Sequence, residues 1–158
     1  MEKNPTYLFV AAAALVDEKG RVLVQKRPEG KPMAGLWEFP GGKIETGETP
    51  EAGLVRELNE ELGIDVEEPD LEPVAFASEA VKDQHLTLLL YLCRQWSGRI
   101  ESADLLDLEW LPVDALHALP MPPADGPLVQ TLSTRLANSA YLSDGSSTPP
   151  ESVVVSET

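Results

Sequence analysis

The sequence predicts one α/β domain. Its 158 residues suit a single domain, and 42% of them are apolar, which is enough for an ordinary core. Along the chain, apolar runs with the character of strands alternate with segments whose apolar residues recur at helical spacing. We therefore expect strands and helices to pack together around one core.

The first two strands are predicted close to the amino terminus. Residues 7–16 form an apolar run, residues 17–20 indicate a turn, and residues 21–26 form a second run. Two such runs on either side of a short turn are typical of a β-hairpin, so we expect them to pair with each other. A loop rich in Pro and Gly follows at 28–35, and a short apolar stretch follows at 36–40.

The clearest helix is predicted after a glycine-containing turn. Thr49 is suited to the N-cap and Pro50 to the first helical position, while Gly63 supplies the stop. Between them, apolar residues at helical spacing are Leu54, Val55, Leu58 and Leu62. This helix is therefore expected to bury one side in the core.

The second half of the chain alternates in the same way. Residues 74–77 and 86–93 have the composition of strands, and the second run is almost wholly apolar, so we expect it in the middle of the sheet. The remaining elements expected are a strand at 108–111, a short helix at 113–119, a loop at 120–127 and a last helix at 128–136.

The composition changes near the carboxyl terminus. From Ser139 onward Ser, Thr, Pro, Gly and Glu dominate. Such a segment has too little apolar surface to pack, so we expect a domain at 1–138 and a disordered tail at 139–158.

The charge disfavours one class of partner. Twelve basic residues face 27 acidic ones, and the formal net charge is −15. A nucleic-acid polymer needs basic surface for its phosphates, so it is not expected as the main partner. A small phosphorylated substrate remains compatible with this charge if divalent cations lie between it and the carboxylates.

The cysteine content and the apolar run near the amino terminus indicate in which cellular compartment the protein is expected. Cys93 is the single cysteine, so no internal disulfide forms, and its apolar surroundings indicate a buried core residue. A reducing cytoplasm is the natural compartment for such a chain. The run at 7–16 is too short to span a bilayer, so we expect no membrane contact.

The predicted helix carries a cluster of carboxylates. At about 100° per residue, Glu57, Glu60 and Glu61 fall on one face. Like charges at these spacings repel unless a cation lies among them, and hard oxygen ligands suit Mg²⁺ or Mn²⁺. On the helix alone, a solvated acidic surface explains the pattern better than a metal site.

The turn before the helix favours a metal site over a solvated acidic surface. Its glycines let the backbone approach a ligand closely. The full pattern is Gly42, five residues, Glu48, seven residues, Arg56-Glu57-Leu58, any residue, Glu60-Glu61, any residue, Gly63-Ile64. It resembles the complete Nudix box, GX5EX7REUXEEXGU with U an aliphatic residue, at every fixed position.

The resemblance implies a fold and a metal site. The Nudix fold is an α/β/α sandwich around a mixed β-sheet, with the box as a loop-helix-loop motif. Carried over, Mg²⁺, for which Mn²⁺ can substitute, would be held by Glu57, Glu60, Glu61 and the carbonyl of Gly41. Glu57, with Glu60 beside it, would assist the deprotonation of the attacking water.

Two further box residues would have a structural role. In the family, the residues matching Glu48 and Arg56 form an ion pair that braces the loop against the helix. The resemblance therefore implies that this pair stays outside the chemistry.

Further matches point to the MutT branch of the family, whose members hydrolyse 8-oxo-dGTP to the monophosphate and pyrophosphate and so cleanse the nucleotide pool before DNA synthesis. These matches span roughly residues 5–137. They are Gln25-Lys26-Arg27-Pro28, residues 34–45, His85-Leu86-Thr87-Leu88, Trp110 and Pro122-Pro123-Ala124. By this resemblance Arg27 would contact phosphate and Lys43 would stabilise the departing group.

Three positions depart from the MutT pattern. A glutamate near the metal is replaced by Asp104, with Glu101 as an alternative, and an arginine near the base is replaced by Gln84. The asparagine that reads the oxidised guanine is replaced by Asp125. An ionised Asp125 accepts from a purine N1–H and amine or from a cytosine amine, whereas a protonated one donates to O6.

The remaining candidates lie near the box. Trp37 and Phe39 either stack on a base or belong to the core, and His85, at the start of an apolar strand, is expected to be structural. We expect a hydrolase for oxidised nucleoside triphosphates, acting as a monomer or weak dimer. Open alternatives are a diphosphatase for CTP, modified pyrimidine nucleotides or another nucleoside diphosphate derivative, and a non-catalytic binding module.

Overall fold

The computed structural model describes residues 6–143. The strands in this part are β1 (Thr6–Leu15), β2 (Arg21–Lys26), β3 (Trp37–Glu38), β4 (Gly41–Lys43), β5 (Glu72–Val81), β6 (Gln84–Cys93) and β7 (Leu108–Pro112). The α-helices are α1 (Pro50–Leu62) and α2 (Gly126–Ser143), and two short 3₁₀ helices cover Glu68–Asp70 and Val113–Ala118.

The strands form two sheets. The larger sheet is mixed and has the order β4-β1-β6-β5, with β1 parallel to β6 and the other neighbours antiparallel. The smaller sheet has the order β3-β2-β7 and is antiparallel. The prediction that residues 86–93 lie in the middle of a sheet is confirmed, since β6 has a neighbour on each side.

The predicted hairpin of β1 and β2 is wrong. The turn at 17–20 forms, and one bridge joins Val16 to Val22, but the two strands then enter different sheets. Both edges of β1 are already occupied, by β4 and by β6. Since β4 pairs with Val10–Ala12 and β6 with the full length of β1, β2 pairs with β3 and β7 instead, apart from the single bridge.

The larger sheet is buried on both faces. Alternate residues of β1 point to opposite sides, so Ala11, Ala13 and Leu15 join the core under α1. Ala12, Ala14 and Val16 join the core on the other side, where α2 packs. The mixed sheet flanked by helices that the resemblance implied is confirmed.

Helix α1 begins and ends as its sequence predicts. The Thr49 side chain accepts a hydrogen bond from the Ala52 amide at 3.1 Å, and Pro50 occupies the first turn. Gly63 ends the helix in the left-handed conformation with φ of 69°. Leu54, Leu58 and Leu62 are fully buried, so the opposite side of the helix is left for polar residues.

The last helix is longer than predicted. It begins at Gly126 and continues to Ser143, past residue 139, where the sequence indicated the start of a tail. The rest of that predicted tail, residues 144–158, lies outside the described residues. The short helix expected at 113–119 is present as the 3₁₀ helix, and Cys93 is buried as expected. Among the described helices, none has the length and apolar character needed to cross a membrane.

The packing of α1 generates a stability prediction. Leu58 is completely buried between the helix and the sheet. Leu58→Ala should therefore lower the free energy of unfolding by about 2–5 kcal/mol, because it removes buried methyl groups and leaves a cavity. Urea denaturation would measure this, with Glu67→Ala, at an exposed position, as the control. Equal effects of the two variants would contradict the predicted packing.

Candidate functional site

An ion pair ties the glycine turn to α1. The Arg56 guanidinium donates to both carboxylate oxygens of Glu48, from Nε at 2.9 Å and from Nη2 at 2.7 Å. Nη2 also donates to the Lys43 carbonyl at 3.1 Å, and the Glu45 amide donates to Glu48 at 2.8 Å. A paired arginine and carboxylate of this geometry fix orientation as well as charge. The bracing role that the family resemblance implied for this pair fits this geometry.

The turn brings the backbone close to a carboxylate. A Cβ atom placed on Gly42 would lie 2.6 Å from both carboxylate oxygens of Glu57. One placed on Gly41 would overlap the Ala11 carbonyl of the neighbouring strand. Gly41 therefore requires glycine, because the overlap is with backbone, and the Glu57 carboxylate faces the backbone of the turn at Gly42.

Glu61 is the unusual carboxylate of the helix. Its Oε2 is buried and has no hydrogen-bond partner among the described residues. Burial and the charge of Glu57 raise the pKa of Glu61, and the Gly41 amide and the Gln25 side chain lower it, which together place the pKa at about 7. A buried oxygen without a partner is costly, and a cation beside it would remove that cost.

The other two carboxylates share a guanidinium nitrogen. Arg56 Nη1 lies 3.0 Å from Glu57 Oε1 and 3.2 Å from Glu60 Oε2. With this pairing, no three acidic, His or Cys side chains within residues 6–143 converge as metal ligands. The oxygen donors of Glu57, Glu60 and Glu61 nevertheless suit a hard divalent cation, and the orphaned Glu61 oxygen supports that fit.

A loop next to the end of α1 carries the candidate Asp104. The Glu101 amide donates to the Leu62 carbonyl at 3.0 Å, and the Ala103 amide donates to the Glu61 carbonyl at 2.8 Å. These bonds hold the loop beside the helix end, although Asp104 itself is exposed. Asp104 lines a cavity of about 430 Å³ together with Lys26 and Arg27.

Arg27 is held in place at the rim of that cavity. Its Nη1 donates to Glu38 Oε2 at 2.8 Å, and its Nε donates to the Pro32 carbonyl at 2.8 Å. Its backbone is fixed as well, since it exchanges hydrogen bonds with Leu36 and Gly35. The guanidinium is therefore oriented before any ligand arrives, which lowers the entropy cost of binding an anion.

Asp125 is a buried carboxyl in the loop before α2. It is 6% exposed, and its Oδ2 accepts a hydrogen bond from the Phe39 amide at 3.3 Å. Burial and the charge of Glu38 raise the pKa of Asp125, and the Phe39 amide and Arg27 lower it, which together place the pKa at about 7. Asp125 is therefore suited to change between hydrogen-bond donor and acceptor near neutral pH.

The remaining candidates are spread around these groups. Phe39 is 3% exposed and is packed in the core, while Trp37 is partly buried against that core with Lys26 Nζ 6.0 Å from its ring. Lys43 and Gln84 are exposed. His85 contacts Tyr7 edge to face, with ring centroids 5.9 Å apart.

Two residues of the site were missed by the sequence analysis. Gln25 is a buried polar residue at 4% exposure, and it influences Glu61. Glu38 pairs with Arg27 and affects the pKa of both Glu61 and Asp125. Gln25 and Glu38 face each other across β2 and β3. The sequence signal available for Gln25 was its position as a polar residue near the end of an otherwise apolar strand.

The brace predicts a stability difference that depends on pH. Arg56 holds the pKa of Glu48 down at about 2, below the ordinary value of 4.5. The stabilisation by ionised Glu48 is thus present above pH 4.5 and is lost as pH falls through about 2. Glu48→Gln should lower the melting temperature at pH 7, and the difference from the wild type should shrink toward pH 2.

Thermal unfolding monitored by circular dichroism between pH 2 and 7 would measure this difference. Glu67→Gln, at an exposed position, serves as the matched control. A Glu48→Gln difference that is the same at every pH would show that charge is not what makes the brace stabilising.

Comparison with known proteins places the chain in a family. The NUDIX domain model matches residues 6–132. An Escherichia coli 8-oxo-dGTP diphosphatase is 36% identical over 79% of this chain and 95% of its own length. An E. coli CTP pyrophosphohydrolase is 34% identical over 78% of this chain and 90% of its own length. The solution structure of the E. coli ORF135 protein matches with a TM-score of 0.72 at 29% identity, covering 91% of this chain and 96% of that one. The chain belongs to the NUDIX family.

Proposed function

We propose that this chain hydrolyses nucleoside triphosphates between the α- and β-phosphates, releasing the monophosphate and pyrophosphate. The observation that carries the proposal is the buried Glu61 oxygen, which has no partner among the described residues and lies beside Glu57 and the glycine turn. The charge of Glu38, the partner of the oriented Arg27, also acts on Glu61. The relatives support the reaction class, since both E. coli proteins bear names of nucleotide hydrolases. An oxidised purine such as 8-oxo-dGTP is the substrate proposed, so that the enzyme would cleanse the nucleotide pool.

The metal site proposed consists of Glu57, Glu60, Glu61 and the Gly41 carbonyl, with Asp104 as a further ligand from the neighbouring loop. When bound, Mg²⁺ or Mn²⁺ offsets phosphate charge and makes water more nucleophilic. The net charge of −15 makes such neutralisation necessary before a polyanion can approach these carboxylates.

The protein residues have separable roles in the proposed reaction. Glu57, whose carboxylate faces the Gly42 backbone, accepts the proton of the attacking water. Glu60 is 60% exposed and lies close to Glu57, because both carboxylates pair with the same nitrogen of Arg56. Arg27 orients a phosphate, and Lys43 stabilises the negative charge of the leaving pyrophosphate.

The base is read on the other side of the larger sheet. Asp125 and Phe39 lie in the core on the α2 side, opposite the side that α1 covers. Trp37 is the aromatic candidate for stacking on the base, with Phe39 in the same core cluster and Gln84 at the start of β6 as a further contact. Asp125 supplies the polar contact that distinguishes one base from another.

A second substrate class rests on the same carboxyl. Ionised Asp125 accepts from a cytosine amine as well as from guanine, and the CTP pyrophosphohydrolase is nearly as similar as the 8-oxo-dGTP diphosphatase. The alternative is therefore a diphosphatase for CTP or modified pyrimidine nucleotides.

Product analysis with Mg²⁺ tests the proposal. We expect pyrophosphate release from 8-oxo-dGTP with a kcat/KM about 100-fold above that for dGTP, equal to about 2.7 kcal/mol of transition-state discrimination. Higher values for CTP or 5-hydroxy-dCTP would select the pyrimidine alternative. Nucleotide binding without turnover, even with Mn²⁺, would overturn the proposed hydrolysis and leave a binding module.

The metal ligands generate the next prediction. Glu57→Gln should reduce kcat by about 10²- to 10⁴-fold, because it removes the proton acceptor. Glu61→Gln should weaken Mg²⁺ binding, measured by calorimetry without nucleotide, by roughly 10-fold or more. Glu67→Gln, outside the box and exposed, is the control and should change neither quantity. Unchanged Mg²⁺ affinity in Glu61→Gln would remove that residue from the metal site.

Asp125 generates a prediction for pH. Its pKa of about 7 means that the carboxyl is protonated below pH 7 and ionised above it. Protonated Asp125 can donate to a purine O6, whereas the ionised form only accepts and is the stronger acceptor for a cytosine amine. The ratio of kcat/KM for 8-oxo-dGTP over CTP should therefore fall as pH rises from 6 to 8. Using the ratio cancels titrations that affect both substrates equally.

Asp125→Asn is the matched variant for that experiment. Its amide does not titrate, so the ratio should become independent of pH and should change by about 10- to 100-fold, since a mismatched buried polar group costs about 1–3 kcal/mol. The same pH profile in the variant and the wild type would exclude Asp125 as the group that reads the base.

A further inference from the structure

An aromatic surface lies on the larger sheet beyond the part that α1 covers. Tyr7, Phe9 and Phe76 are 56%, 47% and 69% exposed. Tyr7 and Phe9 stack with ring centroids 6.1 Å apart, and His85 packs edge to face on Tyr7. Large apolar side chains exposed together mark an interaction surface more often than single exposed ones do.

The strand register places these side chains on one face. Across β1, β6 and β5, Tyr7 aligns with His85 and Ala80, and Phe9 aligns with Thr87 and Ser78, while Phe76 aligns with Leu89. The aromatic face is therefore defined by Tyr7, Phe9, Phe76, Ser78, Ala80, His85 and Thr87. Among the described residues, no helix covers this part of the sheet.

The aromatic face has no acidic or basic side chain other than His85 at its seven positions. This is notable in a chain with 27 acidic residues and a net charge of −15. On the neighbouring strand positions, Glu79 and Gln84 point to the opposite side, with Leu86 and Ala77. Charge is thus excluded from one face of these strands and tolerated on the other.

We propose that the aromatic face binds the same face of a second copy of this chain, forming a weak twofold dimer. A twofold interface must be self-complementary, and an apolar face without like charges meets that requirement. Two chains of strongly negative charge repel each other, so a face without acidic groups is where they can approach most easily.

The available area sets the strength of this dimer. An aromatic side chain contributes about 150–250 Å² when fully buried, so the three half-exposed rings supply roughly 300 Å² per copy. A stable interface needs about 800 Å² per partner. The small residues and His85 around the rings add to the area without reaching a permanent interface, so we expect an equilibrium between monomer and dimer.

The dimer does not depend on the proposed reaction. The face lies on the side of the sheet opposite Asp125 and Phe39, and it includes none of the residues assigned to metal or phosphate. Loss of hydrolytic activity would therefore leave this proposal untouched, and a monomeric protein would leave the proposed reaction untouched.

Sedimentation equilibrium on the full chain tests the proposal. Between about 1 and 500 µM, the average mass should rise from 17.2 kDa toward twice that value. Association should strengthen when NaCl is raised from about 50 to 500 mM, because salt screens the repulsion between the acidic chains. A constant mass of 17.2 kDa, or association that weakens with salt, would overturn the proposal.

Variants locate the contact. Phe76→Asp places like charges in the twofold interface and should weaken association by at least about tenfold. Thr131→Asp adds the same charge on the exposed side of α2 and should leave association unchanged. The double change Tyr7→Ser with Phe9→Ser removes apolar area without adding charge, and it should also weaken association. Dimers that persist in both aromatic-face variants, with melting curves confirming that the variants are folded, would overturn the assignment of this face.

Discussion

The close passage of the glycine turn between β1 and α1 is the constraint on which the candidate site depends. Gly41 pairs with Ala12, and the Ala13 amide donates to the Pro40 carbonyl at 2.9 Å. No Cβ fits on Gly41 because it would overlap the backbone of the neighbouring strand, and one on Gly42 would contact the Glu57 carboxylate. The absence of a side chain at Gly41 therefore lets the backbone of the turn pass against the backbone of β1, which places the turn beside the carboxylate helix.

Once the turn is in place, the arrangement of charge follows. The helix projects several carboxylates from one side. Arg56 pairs with two of them, Glu57 and Glu60, and with Glu48 of the turn, at 2.7–3.2 Å. Of Glu57, Glu60 and Glu61, the carboxylate that does not pair with Arg56 is Glu61, and it has a buried oxygen lacking a partner among the described residues. The protein thus carries an electrostatic cost at the position where a bound cation would be stabilised most.

The sequence allowed the prediction of features whose causes are local. The bounds and caps of α1 depend on Thr49, Pro50 and Gly63, which act within one turn of the helix. The pairing of β1 could not be predicted, because an apolar run indicates a strand without indicating which other strands pair with its two edges. The contact between Asp125 and the Phe39 amide joins residues 86 positions apart, and the link from Glu38 to Arg27 crosses a loop. Such contacts appear only when the sheets are assembled.

Glu38 joins the phosphate side of the proposed site to the base side. Its carboxylate is paired with Arg27, and its charge opposes the ionisation of both Asp125 and Glu61. The position of Asp125 is fixed by its burial and by the Phe39 amide, so its protonation is the property left to vary. If the proposed reading of the base is right, a purine and a pyrimidine would meet the same geometry, and the charge of this carboxyl, set partly by Glu38, would select between them.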